Sequence, residues 1–206
     1  RFASYPKRVT KLIFEAQSDG IFYFYMVFYS KIQHSNNSAM TKKTDPAVLM
    51  QLMSPNQETV LQALQGLRST GSPVYIPILA EMLLTGIGAE IRNGILALLG
   101  ELKEKESAIV LVETIQNDHF LPVRKELIAA CWQNGLDYSP WLSQFVDWVI
   151  NNEMEIAFEA FTVIENLENF PEAEIREAEI RKINQALQEA DQVKAYLLKE
   201  LRGIIA

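Results

Sequence analysis

A 33-residue repeat in the apolar positions restricts the fold of this chain more than any other feature. Three sets of apolar residues recur at that spacing: Ile76, Ile109 and Leu142; Leu79, Val112 and Phe145; and Met82, Ile115 and Trp148. The pairs Ile95 with Ile128 and Ala97 with Ala130 share it. A unit of this length holds two helices, and it buries its apolar stripe only by stacking on neighbouring units. The period therefore predicts a linear stack of helix pairs.

Helix signals continue from Asp45 to the end of the chain, where apolar residues follow helical rather than alternating spacing. Four dipeptides place a capping side chain directly before a proline: Asp45-Pro46, Ser54-Pro55, Ser72-Pro73 and Ser139-Pro140. The capping oxygen accepts a bond from a first-turn N–H, and proline is tolerated at the first helical position. The sequence predicts an all-α fold with helices at 45–53, 55–70, 73–86, 88–103, 107–117, 121–134, 139–151, 153–168, 171–190 and 192–204.

Two of these helices carry a resemblance to a known family. The segments 89–102 and 122–131 each contain an Ile-Arg or Val-Arg pair followed by small residues and leucine. They resemble the first helices of HEAT repeats of the short bacterial type. The resemblance covers about residues 54–170 and weakens after 153, where Ile156-Ala157 lacks the arginine. It implies a right-handed α–α superhelix, and it implies a protein-binding scaffold more often than an enzyme.

The first 39 residues differ from the rest of the chain. They carry a net charge of +3 and nine of the 17 Phe and Tyr residues, whereas 40–206 carries a net charge of -10. Met40 opens a stretch that is typical of a natural start. We expect 1–39 to be a leader, either non-native or disordered. A packed strand or helix and a targeting signal are the alternatives. Residues 40–206 form the predicted repeat domain, with an acidic cap at 153–191.

Composition excludes several classes of function. The net charge of -7 argues against nucleic-acid binding, which depends on Lys and Arg neutralising phosphates. One cysteine, Cys131, excludes an internal disulfide and a cysteine-based zinc site. The apolar run at 21–29 is far shorter than the roughly 20 residues that span a membrane. We therefore expect a cytoplasmic protein with no cofactor, no metal and no membrane partner.

Few residues are candidates for catalysis or ligand binding. His119 is expected to be an exposed loop residue, because a general base needs a positioned partner. Cys131 is expected in the core, and Gly86 and Gly88 at a turn between repeats. Arg92 and Arg124 occupy matching places in consecutive repeats. They are expected to pair with a carboxylate near the next repeat, with a ligand-facing pair as the alternative.

The tryptophans and the acidic segment 153–191 each allow two interpretations. Trp141, Phe145 and Trp148 share a helix face, and with Trp132 they indicate either core packing or an aromatic groove. Residues 153–191 carry 11 acids and three bases. That excess indicates either a solvated cap, which favours solubility, or a docking face for a basic partner.

The leading hypothesis is a non-enzymatic scaffold that binds a protein or peptide, possibly basic, through the concave face of the second helices. The alternatives are a HEAT-like enzyme of the bilin-lyase type or, less favoured by charge, a DNA-alkylation-repair glycosylase. Residues opposite the predicted core positions define the expected face. The candidate binding residues are Glu81, Glu113, Thr114, Gln144, Asp147 and Asn151.

Overall fold

The computed structural model describes residues 44–70 and 73–206, and the regular structure of those residues is entirely helical. The predicted all-α class is confirmed there, while the leader at 1–39 lies outside the described residues. The α-helices are α1 Pro46–Leu52, α2 Gln57–Thr70, α3 Ile76–Leu84, α4 Ala89–Gly100, α5 Lys105–Gln116, α6 Arg124–Asn134, α7 Leu142–Asn151, α8 Met154–Glu165, α9 Ala173–Ala186 and α10 Gln192–Ile205. Short 3-10 helices at Pro73–Tyr75, Asp118–Val123 and Ser139–Trp141 lead into α3, α6 and α7.

The helix starts follow the capping signals only in part. Asp45 caps α1 as predicted, since its Oδ1 accepts from the Ala47 N–H at 2.8 Å. Before α2, the Ser54 hydroxyl accepts from Asn56 N–H, and the Asn56 side chain in turn accepts from Thr59 N–H. The helix therefore begins two residues later than predicted. The other two prolines, Pro73 and Pro140, lie at the first and second positions of 3-10 turns, and each turn leads into an α-helix.

The described helices from α2 onward pack in two layers. The even-numbered helices α2, α4, α6, α8 and α10 contact one another in sequence order. In the other layer, α3 packs on α5, and α7 packs on α9. The core lies between the layers, where Leu79, Ile95, Leu99, Leu111 and Ile128 are almost completely buried.

Eight of the nine residues in the three repeated sets are buried, and Ile109 is the exception, with 47% of its surface exposed. The buried residues of α5 include Ala108, Leu111, Val112 and Ile115, which form a stripe of i, i+3, i+4 and i+7 positions. Ile109 is one residue away from the start of that stripe, about 100° around the helix. Its predicted core position is therefore wrong.

Cations on the even-numbered helices tie the two layers together. The Arg92 guanidinium donates to the Leu83 carbonyl at 3.0 Å, and Arg124 donates to the Ile115 carbonyl at 3.1 Å. These carbonyls lie at the ends of α3 and α5, where the last turn of a helix lacks internal partners and favours positive charge. The ammonium of Lys194, on α10, reaches the Val149 carbonyl at the end of α7 at 2.7 Å. Lys194 thus binds the end of α7 as Arg92 and Arg124 bind the ends of α3 and α5, and α8 itself contains no arginine.

The expected pairing with a carboxylate near the next repeat is found for Arg92 but not for Arg124. Arg92 forms an ion pair with Glu126 on α6, in the next repeat unit. Arg124 is buried and pairs with Asp118 at 3.1 Å, just ahead of its own helix. Both guanidinium groups are therefore engaged by carbonyls and carboxylates rather than presented to a ligand.

Candidate partner-binding face

Side chains of α5, α7 and α9 form a polar surface on the odd-numbered layer, which we call the odd-helix face. It consists of Glu113, Gln116, Gln144, Asp147, Asn151 and Lys182. On α7, residues 144, 147 and 151 share one side of the helix because they are spaced i, i+3 and i+7. Four of the six sequence-predicted binding residues lie on this face, and all four are exposed or half-buried.

Hydrogen bonds join the three helices across this face. The Gln116 amide on α5 donates to the Gln144 side-chain oxygen on α7 at 2.8 Å. The Lys182 ammonium on α9 donates to Asp147 Oδ1 on α7 at the same distance. The result is a continuous polar surface in which Glu113 and Asn151 are the most exposed of the predicted residues.

A buried carboxylate lies beneath Lys182. Glu179 has 3% of its surface exposed. Its Oε1 accepts from the Ser143 hydroxyl at 2.7 Å, and its Oε2 lies 2.7 Å from Lys182 Nζ. Burial lowers the pKa of Lys182, but the hydrogen bonds to Asp147 and Glu179 raise it more, and the net shift is upward. Lys182 thus stays charged while it neutralises two carboxylates.

Gln116 and Lys182 also belong to the face, although neither was among the predicted binding residues. The ion pair of Lys182 could have been predicted from the sequence. A base three residues after Glu179 lies on the same side of a helix, and the surrounding segment is otherwise acidic. The Gln116–Gln144 contact spans 28 residues rather than 33. The repeat period therefore gave no indication of it.

Two of the predicted binding residues are not on the surface. Glu81 and Thr114 are buried, with 7% and 4% of their surfaces exposed. The Thr114 hydroxyl donates to the Val110 carbonyl one turn back in its own helix, which satisfies it inside the protein. The prediction that Glu81 and Thr114 lie on the binding face is therefore wrong.

Glu81 instead forms a pair with His119, whose Nε2 lies 2.8 Å from Glu81 Oε2. His119 is partly exposed, as predicted, but the prediction that it lacks a positioned partner is wrong. Burial raises the pKa of Glu81, and the hydrogen bond and charge of His119 counteract that rise only in part. The contact joins α3 to the Asp118–Val123 turn.

The raised pKa of Glu81 makes a testable contribution to stability. A carboxyl whose folded pKa exceeds its unfolded value of about 4.3 stabilises the fold below that value, and the contribution is lost as pH rises through the folded pKa. Glu81→Gln keeps a hydrogen-bonding group for His119 without the charge. In urea denaturations, we expect the free energy of unfolding of Glu81→Gln, relative to the unmodified chain, to increase as the pH rises from about 4 through the folded pKa of Glu81 and to level off above it.

The control for this experiment is Glu113→Gln, which removes an exposed carboxylate from the odd-numbered layer. Its stability difference from the unmodified chain should stay nearly flat over the same pH range, because an exposed carboxylate has little desolvation to relieve. If Glu81→Gln is equally flat, the burial of Glu81 does not govern its titration.

The remaining candidates separate into core and surface residues. Cys131 is buried as predicted, its thiol donates to the Leu127 carbonyl at 3.6 Å, and burial raises its pKa well above the ordinary range. Phe145 and Trp148 pack edge to face in the core with ring centroids 5.0 Å apart. Trp132 is exposed on α6 whereas Trp148 is buried in α7, so the three tryptophans do not line one groove.

Comparisons with protein families, with curated proteins and with solved structures gave no match for this chain. Across residues 44–70 and 73–206, no three His, Cys, Asp or Glu side chains lie close enough together to hold a metal ion. In the same part of the chain, every helix is too short or too polar to cross a lipid bilayer.

Proposed function

We propose that this protein is a non-enzymatic scaffold of the HEAT-repeat type, a right-handed α–α superhelix that binds a protein or peptide through its odd-helix face. In such a superhelix the second helices of successive repeats line the concave side. Of the predicted second helices, α5 and α7 contribute to the odd-helix face, and Lys182 of α9 extends it. We also propose a cytoplasmic location for the protein.

The observation that carries the proposal is the regular layering of the helices. Even-numbered helices contact each other in order, and matching arginines at positions 92 and 124 bind the ends of the preceding odd-numbered helices. The first helix of each of these two units therefore contacts the end of the preceding helix in the same way, as in scaffolds built from stacked helix pairs. This arrangement leaves one face of the odd-numbered layer as an extended polar surface.

Charge and hydrogen bonding on the odd-helix face favour a basic or amide-rich partner. Glu113 is an exposed carboxylate, and the face also presents the amides of Gln116, Gln144 and Asn151. Asp147 is half-exposed even though Lys182 holds one of its oxygens. Carboxylates on an interface mainly raise the association rate and select partners by charge.

The test compares partner binding by two charge-reversal variants. Affinity capture with the full chain, followed by mass spectrometry and titration of the captured partner, gives a reference affinity. We expect Glu113→Lys to weaken that affinity at least about tenfold and to reduce its dependence on salt. Glu113 suits this purpose because it is exposed, whereas Glu81→Lys would place a charge in the interior and Asp147→Lys would strip Lys182 of a partner.

The matched control is Glu58→Lys, which reverses an exposed glutamate in the first turn of α2, in the even-numbered layer. It changes the net charge by the same amount as Glu113→Lys, so it should leave the affinity within about twofold if the odd-helix face is the site. Equal losses in the two variants would indicate a general charge effect. An unchanged affinity in Glu113→Lys would place the site elsewhere.

A further inference from the structure

Three consecutive even-numbered helices each expose a large aromatic side chain. Trp132 on α6, Phe158 on α8 and Tyr196 on α10 have 38%, 57% and 67% of their surfaces exposed. Because these helices lie side by side in one layer, residues this exposed belong to the outer side of that layer, away from the core. We call these three residues the aromatic row. Exposed aromatic side chains on neighbouring elements are typical of interaction surfaces.

Two contacts place the three side chains at a similar height along their helices. The Trp132 indole N–H donates to Glu159 Oε2 at 2.9 Å, and Glu159 is the neighbour of Phe158. The Lys194 ammonium reaches the Asn152 carbonyl at 2.6 Å, which brings the start of α10 close to the residues that precede α8. Tyr196 and Phe158 are each in the second turn of their helix. With helix axes about 8–10 Å apart, the row is roughly 16–20 Å long.

The centre of the row is acidic. Phe158 lies between Glu155, one turn earlier, and Glu159, the next residue, and α8 contains neither Lys nor Arg. Lys125 engages Glu155 at 2.8 Å, while Glu159 has the neutral indole of Trp132 as its partner. At the other end, beside Tyr196, the charges of Lys199 and Glu200 balance each other.

Aromatic rings beside carboxylates fit a ligand that is both apolar and cationic. The methylene stems of Lys and Arg pack on aromatic faces while their charged ends pair with carboxylates and with the rings themselves. An amphipathic helix with such residues at the edge of its apolar stripe offers this combination over the length of the row. A peptide without positive charge would offer no cation to Glu159, whose hydrogen-bond partner is the neutral indole of Trp132.

We propose that the aromatic row is a second docking surface, which accepts a basic amphipathic helix of a protein partner. It lies on the even-numbered layer and is therefore separate from the odd-helix face. Phe158 is its central anchor, with Trp132 and Tyr196 on either side. The carboxylates of Glu155 and Glu159 select for positive charge on the partner.

The test uses the full chain and a fluorescein-labelled peptide of about 18 residues, built from Leu and Lys with Leu at helical spacing. Binding is followed by fluorescence anisotropy. We expect Phe158→Ser and Tyr196→Ser each to weaken binding of this peptide at least about tenfold. The matched control is Met50→Ser on α1, which removes another exposed apolar side chain and should change the affinity less than about twofold.

Two further peptides and one variant test the chemistry. A Leu/Glu peptide of the same pattern, and a scrambled Leu/Lys peptide, should both bind at least about tenfold more weakly. Equal binding of either one, or an unchanged affinity in Phe158→Ser, overturns the proposal. A dimer in sedimentation that Phe158→Ser dissociates also overturns it, because a second copy would then cover the row. Glu113→Lys should leave binding of the Leu/Lys peptide intact, so failure here and failure of the proposed function are distinguishable.

Discussion

Replacing Leu99 by alanine should lower the free energy of unfolding by about 2–5 kcal/mol. Leu99 is fully buried near the end of α4, and α4 packs between α2 and α6. Removing its branched end loses the transfer free energy of the deleted carbons and leaves a cavity that the helices fill only in part. Urea denaturation followed by circular dichroism measures the loss directly.

The control for Leu99→Ala is Leu121→Ala. Leu121 is 47% exposed, in the turn ahead of α6, so its truncation should change the free energy of unfolding by less than about 0.5 kcal/mol. In a stack of helix pairs, neighbouring units share each buried contact. Hydrogen exchange in Leu99→Ala should therefore speed up in α2 and α6 as well as in α4. Faster exchange confined to α4 would contradict this description of the core. A decrease in the free energy of unfolding as small as that of Leu121→Ala would contradict it too.

Periodicity predicts burial well where the whole helix face repeats. Leu79, Val112 and Phe145 share one spacing, and each is buried in its own helix. The same spacing fails for Ile109, because the stripe of α5 starts at Ala108 and turns Ile109 towards solvent. A sequence repeat predicts the position of a residue within its helix pair. Whether the residue is buried depends also on which other helices pack over that position.

The candidate face was harder to predict for the same reason. Glu81 matches Asp147 at twice the repeat length, but α3 is buried on nearly all sides and α7 is not, so only Asp147 reaches the surface. Lys182 reaches Asp147 over 35 residues and Lys194 reaches Val149 over 45. These long side chains reach their partners within one layer in the case of Lys182 and between the layers in the case of Lys194, at separations that the 33-residue period does not give.

Removing the ammonium of Lys182 should destabilise the fold more than removing any exposed base. Lys182→Met leaves the Glu179 carboxylate buried with only the Ser143 hydroxyl as a partner, and it releases Asp147. A buried charge that loses its partner costs about 3 kcal/mol. Urea denaturation at pH 7 measures this loss. Lys125→Met, which breaks the exposed pair with Glu155, is the matched control and should have a much smaller effect.

A second change separates the charge of Glu179 from its packing. If the cost of Lys182→Met comes from a stranded carboxylate, the double variant Lys182→Met, Glu179→Met should recover most of the lost stability, since an apolar pair of similar volume replaces a buried ion pair well.

The pH dependence of stability provides an independent check on the role of Lys182. The folded pKa of Lys182 is raised, so its contribution is complete below about pH 10.4 and declines as pH rises through the folded value. The stability gap between Lys182→Met and the unmodified chain should therefore be constant from pH 7 to pH 9 and narrow only above pH 10. A gap that narrows near neutral pH would show that the ammonium is not the stabilising group.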